Sequence, residues 1–94
     1  MTLVFYNSKL KDADGGLFVG QVFWDKLHRG RIWASICPLK SEAEADYPIW
    51  KKEDEYNAQD RQKIMKMIGR LKAKAGLWEL EIVSEGETEF CPKS

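Results

Sequence analysis

Histidine occurs once in these 94 residues, as His28, cysteine twice and proline three times. A histidine base needs an orienting partner and a nucleophile, and Asp25 is the only carboxylate near His28 in the sequence. No catalytic histidine constellation is expected. Cys37 and Cys91 are too few for a disulfide scaffold, and no Cys-x-x-Cys or His-x3-His spacing surrounds them. Both are expected to be free thiols, with no metal site.

Long apolar runs are missing too. No stretch approaches the roughly 18–20 apolar residues of a membrane span, and Leu3 to Tyr6 is too short for the core of a secretion signal. A cytoplasmic protein without a membrane partner is the expectation. Gly15, Gly16 and Gly20 are followed by neither a G-K-[ST] nor a G-x-G-x-x-G pattern, so no phosphate loop is expected. Asp12-Ala13-Asp14-Gly15 begins like a calcium loop, but Phe23 stands where the bidentate Glu belongs. The sequence therefore points to no cofactor and no catalytic residue, and to a binding protein rather than an enzyme.

What is present suits a single folded domain spanning 1–94. Hydrophobic residues make up 44% and charged residues 32%, too apolar for a disordered chain. The net charge is zero, yet it is unevenly spread: +3 over 1–40, −4 over 41–56, +5 over 57–75 and −4 over 76–94. Distinct basic and acidic regions follow, so an anionic partner is compatible with the neutral total.

Leu3-Val4-Phe5-Tyr6 reads as a first strand and the polar stretch to Asp14-Gly15-Gly16 as a turn. Leu17 to Trp24 and Arg31 to Cys37 read as two further strands, the last closed by Pro38, which cannot donate to a ladder. Ser41 to Asp46 offers at most a helical turn. Over 57–75, Ile64, Met67, Ile68, Leu71 and Ala75 recur at three- and four-residue spacing and predict an amphipathic helix. Gly76 is the expected residue just past its end. Trp78, Leu80 and Ile82 alternate with Glu79 and Glu81, the pattern of a last strand. The expected fold is α+β, a small antiparallel sheet in the order βββ-α-β with one long helix packed on one face.

Two features carry a candidate function. Trp24 and Trp33 flank the basic run Lys26-Leu27-His28-Arg29-Gly30-Arg31. A four-residue loop at 27–30 would pair Trp24 with Trp33 and set an aromatic face beside Lys26, Arg29 and Arg31, which suits unstacked bases. The same pair serves equally as cross-strand packing covered by 41–56, with its Tyr47, Trp50 and Tyr56. The second feature is a row on the helix: Lys63, Lys66, Arg70 and Lys74 fall within about an 80° arc, roughly 130° from the apolar stripe. Six cations over 57–75 are offset by Asp60 alone, whereas an ordinary solvated face mixes both signs.

The expected partner is first a protein, with the chain acting as a small inhibitor or adaptor of the kind mobile elements encode against nucleic-acid-handling machines. The alternative is a single-stranded nucleic acid held by the Trp24/Trp33 hairpin and the basic helix.

Overall fold

The computed structural model describes residues 2–25, 31–40 and 58–87. Strands β1 (Thr2–Lys11), β2 (Leu17–Asp25) and β3 (Arg31–Pro38) precede helix α1 (Ala58–Leu77) and strand β4 (Glu81–Glu87). All neighbours are antiparallel and the sheet order is β3-β2-β1-β4, with α1 packed on one face. This is the expected α+β fold and element order. The stretch 41–56, Lys26, His28, Arg29 and Cys91 lie outside the described residues.

The β1–β2 turn forms as its composition predicts. The side chain of Asp12 accepts hydrogen bonds from the backbone N–H groups of Asp14 (3.0 Å) and Gly16 (2.6 Å), and Gly15 takes φ 85°, where a Cβ would be strained. β1, however, runs on to Lys11 through residues that read as polar loop. It is an inner strand, hydrogen-bonded on both sides, so Ser8 and Leu10 are buried while Asn7, Lys9 and Lys11 alternate on the other face. A bulge at Phe5 shifts the register between Val4 and Tyr6, which brings Leu3, Phe5 and Tyr6 together into the core.

Ile64, Ile68, Leu71 and Ala75 are the buried residues of α1. Ile64, Ile68 and Leu71 meet Tyr6, Val22 and Ile32 of the sheet, with Trp24, Ala34, Ile36 and Met67 partly buried around them, while Ala75 clusters with Leu10 and Leu80. Gly20 lets Leu71 approach: a Cβ there would stand 2.6 Å from Ser8 Oγ and 3.0 Å from Leu71 Cδ2. Ser8 Oγ itself donates to the Gly20 carbonyl.

The helix does not end at Gly76. It continues to Leu77, and Glu79 takes the left-handed conformation at φ 57°. The N–H of Leu80 bonds the carbonyl of Ala75 and that of Glu79 the carbonyl of Gly76, the paired bonds of a Schellman cap with Glu79 in the usual glycine place. Leu80 packs on Ala75 and Leu10, so the apolar contact that accompanies such caps sets the stop. Trp78 consequently sits in the turn, and the last strand begins only at Glu81.

The β2–β3 register differs by one from the expected pairing. Asp25 lies opposite Arg31, so five residues, 26–30, separate the strands, and Trp24 faces Ile32 while Phe23 faces Trp33. A one-residue shift moves alternate side chains to the opposite face. Trp24 therefore joins Val22, Ile32, Ala34 and Ile36 on the helix side, and Trp33 joins Phe23 on the other. That second face is closed at Val4 and Val19, both buried, and open at Trp33, which is 38% exposed.

Candidate functional site

The paired-tryptophan platform is not assembled. Trp24 is half-buried in the core cluster beneath α1, and Trp33 lies on the opposite side of the sheet. Arg31 is exposed at the start of β3, across from Asp25. Lys26 and Arg29, the rest of the expected tip, lie outside the described residues.

The basic row on α1 does form. Lys63, Lys66, Arg70 and Lys74 are all exposed on one flank of the helix. Arg70 and Lys74 border a groove of about 180 Å³ whose other walls are Met67 and Leu71 of α1 and Ala34, Ser35 and Ile36 of β3. The Arg70 and Lys74 end of the row thus lies beside β3, an outer strand of the sheet. At the end of the helix Lys74 Nζ stands 4.7 Å from the centre of the Trp78 ring, and Trp78 is half exposed. Leu77 beside it is 83% exposed.

The two flanks of α1 differ in how their charge is met. On the β4 side Lys72 Nζ approaches Glu85 Oε2 at 3.4 Å and Glu87 Oε1 at 3.5 Å, and lies 5.4 Å from the centre of the Tyr6 ring. Tyr6 in turn donates to Glu85 Oε2 at 2.8 Å. That hydrogen bond, with help from the Lys72 ammonium, holds the Glu85 carboxyl below its ordinary range against the opposing effect of desolvation. On the β3 side, among the described residues, no carboxylate pairs with Lys63, Lys66, Arg70 or Lys74. Among the described residues, the charge beside the groove is therefore positive, from Arg70 and Lys74.

The two outer strands differ in the same sense. β4 reads EIVSEGE, carries three glutamates and has an irregular register between Lys9 and Leu10 of its partner, features that discourage further pairing. β3 reads RIWASICP, with Arg31 its only charge. Among the described residues no strand pairs with its outer side.

Met67, the β3 residues Ala34, Ser35 and Ile36, and Trp78 are the parts of this surface that sequence reasoning did not assign to a site. The uncharged core of β3 was a usable signal, because outer strands normally carry charge. Trp78 was hidden by its alternation with Leu80 and Ile82, which read as strand.

Among the described residues no three His, Cys, Asp or Glu side chains gather closely enough to hold a metal ion, and no helix is long and apolar enough to cross a membrane. Cys37 is a free, exposed thiol. No family model matches the chain, and no curated protein or solved structure shows similarity to it.

Proposed function

We propose that the chain is a non-enzymatic protein-binding module, a small inhibitor or adaptor that engages an acidic surface of its partner through the groove between α1 and β3. The observation that supports this reading is the row Lys63, Lys66, Arg70 and Lys74, which no carboxylate among the described residues pairs with, together with the groove lining of Met67, Ala34 and Ile36. Cations of this kind steer an anionic partner and fix its orientation, and the apolar floor supplies contact area that salt does not screen.

A second reading, binding of single-stranded nucleic acid, is favoured by one specific arrangement. Trp78, half exposed, stands beside Lys74 at the end of the same row and offers a ring face next to phosphate-binding cations. Of the two features expected to hold such a strand, the Trp24/Trp33 pair is not formed and the basic helix row is.

Capture from host lysate with and without nuclease separates the two. A protein partner retained after nuclease treatment, and lost with Arg70→Glu/Lys74→Glu, is the expected result. Loss of all captured material on nuclease treatment would favour the nucleic-acid reading.

A further inference from the structure

β3 bounds the groove on one side, and its ladder with β2 fixes which of its backbone groups point outward. The N–H of Leu39 donates to the carbonyl of Leu17 at 2.9 Å, which makes Leu17 and Leu39 a hydrogen-bonded pair of the antiparallel β2–β3 ladder. Such pairs alternate along a ladder with pairs whose N–H and C=O groups point away from the partner. Stepping along the register, Cys37, Ser35, Trp33 and Arg31 bond to β2, while Ile36, Ala34 and Ile32 turn their backbone groups outward. Pro38 falls in the outward set, where its missing N–H costs no ladder bond. The outward set is also the one whose side chains face α1. Ala34 and Ile36, which carry outward donors and acceptors, therefore line the same groove as Arg70 and Lys74, and Ile32 continues the outward row along β3.

We infer that this groove accepts an extended acidic segment of the partner, which adds to β3 as a fifth strand and directs alternate carboxylates toward Arg70 and Lys74. The inference rests on the protein-binding reading above and names the form the bound segment takes. Backbone bonding to Ile32, Ala34 and Ile36 supplies affinity regardless of sequence, and the side chains of every second residue supply the selection. Lengths agree: Lys63 to Lys74 spans about 16 Å of helix, and five or six residues of strand cover about the same distance. Charge decides between occupants. A second copy of this chain pairing edge to edge about a twofold axis would bring two basic rows to the same junction, where like charges repel. An acidic strand meets opposite charge there. β4, the other outer strand, presents its own glutamates and would repel the same segment.

The test uses a labelled peptide of about eight residues, the length of β3, alternating Val with Glu and blocked at both ends. Controls are the Val/Lys peptide, the Val/Glu peptide N-methylated on the nitrogens of one edge, a second peptide methylated on the other edge, and single-stranded oligothymidylate. Binding is read by fluorescence anisotropy, and amide hydrogen exchange is read by NMR on the full chain. The expected result is binding of the Val/Glu peptide with slowed exchange at Ile32, Ala34 and Ile36. Methylation of one edge only should abolish it, and Arg70→Glu/Lys74→Glu should weaken it by at least about tenfold. Ala34→Pro removes an outward N–H and should block addition while circular dichroism stays native. Should that variant unfold, the methylated peptides ask the same question with the protein unchanged.

Five outcomes would overturn the inference. Peptide binding without protection of the three amides would discard strand addition and leave the protein-binding reading standing. Amides already protected in the free monomer would show the edge covered within the chain, and the same protection in a self-associating protein would assign the groove to a second copy. Equal binding of the Val/Lys peptide, or tight binding of oligothymidylate with none of the acidic peptide, would reject an acidic segment as the occupant.

Discussion

The hydroxyl of Tyr6 donates a 2.8 Å hydrogen bond to Glu85, joining β1 to β4 across 79 positions of sequence. Lys72 closes the arrangement from the helix, paired with Glu85 and lying near the Tyr6 ring. Among the described residues β4 makes its ladder with β1 alone, and these side chains add a second tie between it and the rest of the fold. Burial, and then the bond to Glu85, push the Tyr6 phenol from 10.0 up to about 12.

That shift has a definite sign. A phenol that holds its proton more tightly when folded contributes stability that is complete below pH 10 and is lost as pH rises toward about 12. Of the three tyrosines, one should ionise late in a tyrosinate absorbance titration of the folded protein, and Tyr6→Phe should remove that late step. The Glu85 carboxyl, held low, contributes in the opposite direction: its part is present above the ordinary carboxylate range and fades in acid. A late step that persists in Tyr6→Phe would show that another group is responsible.

Leu71 is 2% exposed and contacts the sheet where Gly20 opens space for it. Leu71→Ala should cost on the order of 2–5 kcal/mol in urea unfolding. Met65 is half exposed on the same helix, and Met65→Ala should stay within about 0.5 kcal/mol of the parent. Equal effects at both positions would refute the assignment of the buried stripe.

Glu79 occupies a left-handed conformation that its Cβ opposes. Glu79→Gly should stabilise the protein by about 1 kcal/mol, read as a raised thermal midpoint, because the cap geometry stays the same while the steric opposition disappears. A lowered midpoint would mean that the Glu79 side chain makes a contribution larger than the strain it causes.

Trp24 and Trp33 should separate in a stability measurement. Trp24→Ala removes a ring packed against the core cluster and should cost about 3 kcal/mol, whereas Trp33→Ala removes a ring that is 38% exposed and should cost about 1 kcal/mol. The reverse order would contradict the register in which Trp24 faces Ile32.

The amphipathic stripe, the basic row and the Asp14-Gly15-Gly16 turn were all legible in the sequence. Each depends on residues a few positions apart: helical spacing puts Ile64, Ile68, Leu71 and Ala75 on one side and Lys63, Lys66, Arg70 and Lys74 on another, whatever the rest of the chain does. The order βββ-α-β follows from the same short-range patterns.

Tertiary structure decided the rest. A single residue in the β2–β3 connection set the parity of the ladder, sent Trp24 under the helix and Trp33 to the far face, and turned the backbone of Ile32, Ala34 and Ile36 outward. The helix passed Gly76 because Leu80 found Leu10 and Ala75 to pack against, a contact between residues 70 positions apart in one case. Which cations stayed available was settled in the same way. Lys72 and Arg70 look alike in sequence, but among the described residues it is Lys72, on the side of α1 facing β4, that meets glutamates, while Arg70 borders the groove beside β3. Helical periodicity is a property of neighbours along the chain. Strand register, outer-strand exposure and charge pairing are properties of neighbours in space, and they exist only once the sheet has closed on the helix.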